Sequence, residues 1–396
     1  MEACATLIYL DYNATTPLCE PARAAMVPYL ERHFGNASSI HSAGREARAA
    51  IDDARDSLAA LLRAKPHELT FTGSGTESNN LAVLGLARSQ RGRGRHLICS
   101  SVEHHAVLHA FEHLQQNEGF DVTFLRVDSA GRIDPAELAI AIRSDTTLVS
   151  IMSANNETGV LQPLREIAEV CRGRGVLLHS DMVQAFGKFP AGPPAEMRVD
   201  AASFSAHKFY GPKGAGLLYL RAGVPIESIQ FGGAHENQRR PGTENVAAIA
   251  GMAAAAEWVI ADTMMEQERE AALRDRLWDG VAGSFPSAQQ NGAHAPRLAN
   301  TLNISFPGLD SETLLMALDL EGICASSGSA CMVGSVVPSH VLLAMGATPV
   351  IARSAVRFSL GRQTTAAEIE AAVEAIARVC QRLSRHAPAH NAYAVA

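Results

Sequence analysis

The stretch ELTFTGSGTESNNLAVLGLA, Glu68 to Ala87, decides how the rest of the chain is read. A short apolar run passes into a Gly/Ser/Thr turn, and a helix opens at once with Thr76, Glu77 and Ser78. Further strand-sized apolar runs follow: HLICSS, VTFLRV, TLVSIM, VLLHSD, AASFSA and GLLYL. Most are separated by enough chain for a helix, so the pattern predicts an α/β fold, a mainly parallel seven-stranded sheet with helices on both faces. Upstream, SAGREARAAIDDARDSLAALLRA carries Ala47, Ile51, Ala54, Leu58 and Leu61 at helical spacing and predicts an amphipathic helix. Downstream, one helix rich in Ala and Glu (near 251 to 283) leads into TLNISF, GICASS and AVRFSLGR, strands of a second, smaller α/β unit. The tail HAPAHNAYAVA reads as frayed.

A chain of 396 residues is too long for a single core, which favours a large domain plus a small one. With 47% hydrophobic and 19% charged residues it has the composition of a soluble globular protein. A net charge of −7 argues against a nucleic-acid or anionic-membrane partner held by bulk charge. The N-terminus MEACATLIYLDYNATTP has neither a basic region nor a long apolar run, and no apolar span reaches membrane length. The seven cysteines are scattered, odd in number and without a CxxC pair, which fits a reducing, cytoplasmic setting.

Ligands of open α/β sheets gather beyond the carboxyl ends of the strands. The Gly75–Thr76 turn offers free backbone N–H groups and a helix dipole, a ready phosphate site, although it is neither a Walker loop nor a GxGxxG fingerprint. A capped helix start explains it equally well. In CSSVEHHAVLHAFEHL, His104 falls where a strand passes into a helix, placed to lie over a planar ligand. His105, His109 and His113 share a helix face, but without HExxH or a third ligand type they read as solvated residues, and no metal site is expected. Asp181 in LLHSDMVQAFGK follows an apolar strand, either as a cap or as a carboxylate kept ionised beside a ring nitrogen. Lys208 in SFSAHKFYGPKG closes another strand, where a half-buried amine has a depressed pKa and forms imines. An imine-forming lysine, a carboxylate, a phosphate cradle and a stacking group are together what pyridoxal phosphate requires.

The last unusual stretch is ASSGSACMVGS, 325 to 335, where Cys331 has no large apolar neighbour to bury it. Glycine and serine make this a compliant loop in which a thiol is reachable. Cys324, Cys99 and Cys171 instead lie in apolar runs and read as packing.

From IYLDYNATTP to VRFSLGRQTT the chain resembles the cysteine desulfurases of the NifS/IscS type, class-V aminotransferases of the fold-type I pyridoxal-phosphate group. The likeness is carried by GNASSIHSAGREA, FTGSGTESNN, EHHAVL, ANNETGVLQP, HSDMVQAFGK, SAHKFYGPKGAG, RRPGTENVA and SSGSACMVGSVVPSHVLLAMG, in that order. The resemblance implies that Lys208 carries pyridoxal phosphate, His104 stacks on its ring, Asp181 pairs with the ring nitrogen and Gln184 with the ring oxygen. It implies phosphate contacts from Gly75, Thr76, Ser205 and His207, and one from Thr243 supplied by a partner subunit, hence a homodimer. It also implies that Asn155 and Arg357 hold the substrate L-cysteine, Arg357 as a fork for its carboxylate. Cys331 would take sulfur as a persulfide, leaving L-alanine, and pass it to an iron–sulfur scaffold or another acceptor protein, on which it could transiently ligate a cluster. The implied division is a cofactor-binding domain over 15–261 and a small domain of 1–14 with 262–396, carrying a mobile loop over about 325–338.

Met332 and Val333 stand where a small polar pair is common in that family, and Asn237 and Gln238 where Arg-Gly is frequent. Two other readings stay open at this point. One is a fold-type I aminotransferase or β-lyase that ignores the thiol; the other is a partner-binding protein on a retired enzyme scaffold.

Overall fold

Why the apolar runs are nearly continuous becomes plain once the strands are placed. The computed structural model describes residues 7–189, 192–327 and 338–386. A short strand β1 (Ile8–Tyr9) and helices α1 (Glu20–Glu31) and α2 (Ser42–Leu61) precede β2 (Leu69–Thr72). Helix and strand then alternate: α3 (Gly75–Ser89), β3 (His96–Ser100), α4 (His105–Glu118), β4 (Asp121–Leu125), α5 (Pro135–Ala141) and β5 (Thr146–Ser150). After α6 (Leu164–Gly173) come β6 (Leu177–Asp181), α7 (Pro194–Met197), β7 (Ala201–Ser205) and β8 (Gly216–Leu220).

These strands form one seven-stranded sheet in the order β2-β8-β7-β6-β5-β3-β4. Only β8 runs against its neighbours β2 and β7; the other pairings are parallel, as expected. Side chains alternate between faces with the two-residue period of a strand. Leu97, Cys99, Leu148 and Leu218 pack with α3 and α4. Ile98, Val149, Leu178 and Leu217 face the opposite layer, built from α2 and α6. Burial on both faces is why these strands lack polar alternation. One polar ladder crosses the middle of the sheet. His179, fully buried on β6, shares hydrogen bonds with Ser150 Oγ on β5 (2.8 Å) and Ser203 Oγ on β7 (3.0 Å).

The single helix expected near 251 to 283 is instead two helices, α8 (Val246–Ala261) and α9 (Thr263–Ser284), bent by 72° at Asp262. The cause lies in what each half buries. Ala248, Met252, Ala256 and Val259 of α8 belong to the large core, whereas Leu273, Leu277 and Val281 of α9 pack in a second core. Beyond them, β9 (Gln289–Gln290), β10 (Thr301–Ser305), α10 (Ser311–Leu320), β11 (Ile323–Cys324), α11 (His340–Ala344), α12 (Pro349–Arg353), β12 (Ala355–Ser359) and α13 (Ala366–His386) complete the chain. The antiparallel sheet β12-β10-β9 holds this second core, and β1 pairs in parallel with β11. Ile8 and Leu10 lie in the second core and Tyr12 in the first. Apart from Tyr12, which packs in the large core, these separate cores support the division we propose, 15–261 against 1–14 with 262–396. Among the described residues no single helix is long and apolar enough to cross a membrane.

Two stability outcomes follow. Phe111 is fully buried between α4 and the sheet, so Phe111→Ala is expected to cost about 3–5 kcal/mol in urea unfolding. Phe231, 95% exposed, is the control, and its alanine variant should stay within about 0.5 kcal/mol. Burial holds the His179 pKa at about 3, against an ordinary 6.5. The unfolded chain therefore binds a proton in that interval that the folded chain refuses. Stability is expected to fall as pH drops below about 6.5, and urea midpoints at pH 7, 6 and 5 should fall less steeply in His179→Asn.

Candidate active site

Because β2, β3, β5, β6 and β7 run the same way, their carboxyl ends share one edge of the sheet, and a cavity of about 290 Å³ opens there. Gly75, Thr76, His104, Asp181, Gln184, Ser205, His207, Lys208 and Arg357 all line it.

The turn after β2 is held on both sides. Ser74 caps α3 by accepting from the Glu77 N–H (3.1 Å), while the Glu77 carboxylate accepts from Gly73 N (2.6 Å) and Arg240 Nε (2.8 Å). This presents the helix N-terminus, with its unpaired N–H groups and partial positive charge, to the cavity. A side chain at Gly75 would bring its Cβ to 2.9 Å from Val183 Cγ2 and 3.1 Å from Ser205 Cβ, so only glycine lets the backbone come this close. His207 lies beside it, its Nδ1 3.2 Å from Thr15 Oγ1. Burial and the charges of Lys208, Lys213 and Lys188 hold the His207 pKa at about 4, and it donates or accepts as a neutral ring.

Lys208 ends the short 3₁₀ turn that follows β7, and its Nζ donates to the main-chain oxygens of Asn13 and Ala14, both at 2.8 Å. Asp181, the last residue of β6, accepts from Val183 N (2.9 Å) and Asn79 Nδ2 (2.6 Å). Burial pushes its carboxyl up; the Val183 N–H, the Asn79 amide and the Lys208 charge pull it down. Ionisation of Asp181 is therefore contested in the protein alone and is favoured by any cation brought against it. His104 caps α4, its Nδ1 accepting from Ala106 N at 3.1 Å, which leaves the proton on Nε2. Burial first, then Lys208 and the neighbouring histidines, lower its pKa to about 4.

Not every residue named from the sequence reaches the cavity. Asn155 does not line it: its amide donates to Val102 O (2.9 Å) and accepts from the N–H groups of Glu157 and Thr158, so the neighbours Ala154 and Asn156 face the space instead. Thr243 is exposed and lies outside the cavity of its own chain. Arg357 lines it with both terminal nitrogens engaged, Nη2 donating to Asp11 Oδ1 (2.8 Å) and Nη1 to Asn156 O (2.9 Å). Its buried Nε has no hydrogen-bond partner among the described residues. Cys331 and its neighbours Met332 and Val333 lie outside the described residues. Both flanks of that loop are tied to the cavity. Ser326 pairs with the main chain of Arg357, Ser339 donates to the Glu157 carboxylate (2.5 Å), and His340 Nε2 lies 2.9 Å from Glu103 O. Of the helix histidines, His105 stands with His109 and His340, ring centroids 5.0 and 4.7 Å away, while His113 approaches Glu118.

Sequence reasoning passed over Asn13, Asn79, Glu157 and His340, all of which line the cavity. For Asn79 a signal existed: it falls four residues after Gly75 on α3, hence on the same face. Asn13 gave none, because its place depends on main-chain packing against Lys208.

The residues present fit pyridoxal phosphate. A glycine-floored helix N-terminus suits its phosphate, the Asp181 carboxylate its ring nitrogen, neutral His104 its ring face and Lys208 its aldehyde.

Comparison with known proteins agrees with this geometry. The Aminotransferase class-V family model matches residues 8–372. Cysteine desulfurase IscS of Dictyoglomus turgidum is 44% identical over 381 residues, covering 96% of both chains. The solved structure of a NifS-like protein superposes with a TM-score of 0.89 at 35% identity, covering 96% of this chain and all of its own. A structure described as SspA in complex with cysteine gives a TM-score of 0.79 at 34% identity, over 89% of this chain and 98% of its own. The chain belongs to the class-V aminotransferase family and, within it, to the pyridoxal-phosphate-dependent cysteine desulfurases.

Proposed function

We propose that this enzyme removes sulfur from L-cysteine, forming L-alanine and a persulfide on Cys331. The observation that carries the reading is the meeting of Lys208, Asp181, His104 and the Gly75 turn around one cavity. Lys208 would hold the cofactor covalently, Asp181 its ring nitrogen, Gln184 its ring oxygen, and Gly75, Thr76, Ser205 and His207 its phosphate. Pyridoxal phosphate, when bound, supplies an electron sink that weakens the bonds of an amino acid attached to it.

The chain's own residues supply the rest. Lys208 is the base for the substrate Cα proton, and the Asn13 and Ala14 carbonyls fix where its amine points. Asp181 keeps negative charge at the sheet edge. Arg357, which lines the cavity and keeps an Nε unpartnered among the described residues, would hold the substrate carboxylate. The Cys331 thiolate forms an S–S bond as the C–S bond of cysteine breaks, and the proton ends on the carbon that becomes the alanine methyl. In balance, L-cysteine and one thiol give L-alanine and one persulfide.

Cys331 is supported as the acceptor by the resemblance, by the positions of its flanking residues at the cavity, and by the poor reactivity of the five described cysteines. The described cysteines, Cys19, Cys99, Cys171, Cys324 and Cys380, are buried or half-buried, and burial raises every one of their thiols, which makes them poor nucleophiles. Described residues on either side of Cys331, Ser326 and Ser339, both bond to cavity-lining residues, which supports Cys331 as the thiol that serves the cavity. The protein works as a homodimer, which the exposure of Thr243 away from its own cavity supports. Its unpaired cysteines support a cytoplasmic setting, and the IscS name of its relatives supports an iron–sulfur scaffold as one sulfur acceptor.

Purified protein should be yellow and, with L-cysteine and dithiothreitol, should yield sulfide and alanine in parallel. Lys208→Ala is expected to lose the yellow band's lysine-bound form and slow alanine formation by roughly 10²–10⁴-fold. Cys331→Ala should keep the band and lose sulfide release. Full sulfide release by that variant would favour a β-lyase instead.

A further inference from the structure

One cation close to the cavity has no part in the reaction as described. Lys188 does not line the cavity, yet its Nζ donates to Gln184 Oε1 at 2.7 Å and to Asn13 Oδ1 at 2.9 Å. The Asn13 carbonyl only accepts, so the Gln184 nitrogen must face it and the Gln184 oxygen faces Lys188. This settles the Gln184 amide, whose oxygen and nitrogen are otherwise nearly interchangeable in shape. With Oε1 held by Lys188, Nε2 is left facing the Asn13 carbonyl (2.9 Å) and the cavity that Gln184 lines. The same Asn13 carbonyl receives Lys208 Nζ at 2.8 Å. Asn13 is itself clamped, by Asn300 Nδ2 on its Oδ1 (3.1 Å), Thr301 Oγ1 on its Nδ2 (2.9 Å) and Ser359 Oγ on its N–H (2.9 Å). Lys188 thus links two cavity groups, Gln184 and Asn13. Burial most of all, then the charge of Lys208, lowers the Lys188 pKa to about 7, with Glu270 on α9 raising it and Arg357 lowering it further.

We propose that Lys188 is a positioning residue of the desulfurase: it turns the Gln184 N–H groups toward the cofactor's ring oxygen and braces the Asn13 carbonyl that receives Lys208. The inference rests on the cofactor placement proposed above. A donor aimed at the ring oxygen stabilises negative charge there and favours the deprotonated chromophore, so losing its alignment makes the chromophore harder to deprotonate.

The test uses holoenzyme and reads the pH midpoint of the visible cofactor band beside steady-state rates. In Lys188→Met the midpoint is expected to rise by about one pH unit, the scale of one hydrogen bond to a charged group. On the same scale kcat should fall roughly tenfold with KM little changed. Lys188→Arg, which keeps the cation, should recover most of the shift. In a Gln184→Ala background, Lys188→Met should add no further shift, because the amide it aligns is gone. Lys188→Gln is carried in parallel, and the comparison is read on whichever neutral variant gives folded, yellow enzyme. A wild-type midpoint in the neutral variants overturns the proposal, as does a shift of equal size with and without Gln184. Wild-type protein that shows no visible band with pyridoxal phosphate would instead refute the cofactor placement itself.

Discussion

A carboxylate buried at the end of a β-strand is stable as an anion only if charge or hydrogen bonds compensate its lost hydration. Asp181 is such a group, 5% exposed and held by one backbone N–H and the Asn79 amide. Those contacts and Lys208 pull against the effect of burial without erasing it. Positive charge brought against Asp181, such as a protonated ring nitrogen, therefore favours its anion. The rest of the cavity follows from it. The neighbouring imidazoles are kept neutral and do not supply that charge themselves, and a lysine stands across the space ready to attach the ligand that does.

The parallel sheet is what makes this constraint achievable. Phosphate cradle, histidine, carboxylate and lysine come from four different strand ends, far apart in the chain, and meet because those strands run in one direction. Covering both faces with helices keeps the strands rigid and dry, so the groups at their ends inherit fixed positions. The second core contributes Arg357 on β12, opposite the sheet edge, and the stems of the loop that carries Cys331. Arg357, the residue proposed to hold substrate, thus comes from a strand of the second core and not from the large sheet.

Much of this was legible in the residues. Continuous apolar runs marked doubly covered strands, and Asp181, Lys208 and His104 stand out because each ends such a run. The break between α8 and α9 was not legible, since helix-forming residues continue across it and the change of core bends the chain at Asp262. Asn155 shows another limit of a sequence: its side chain closes its own turn, accepting the Glu157 and Thr158 N–H groups, so that Ala154 and Asn156 line the cavity. Asn13 and Lys188 were invisible because their importance lies in which atoms they orient, and orientation is a property of packing. Asn237 and Gln238, which depart from the family pattern, fall with Glu236 in consecutive left-handed conformations beside the Arg55–Glu236 ion pair, away from the cavity.

The most direct test follows sulfur through a single turnover. Holoenzyme mixed with one equivalent of L-cysteine and no reductant is stopped, its alanine quantified and the peptide containing Cys331 weighed. The account predicts alanine and a peptide heavier by one sulfur atom in equal amounts. Alanine or pyruvate formed while that peptide keeps its original mass would contradict it.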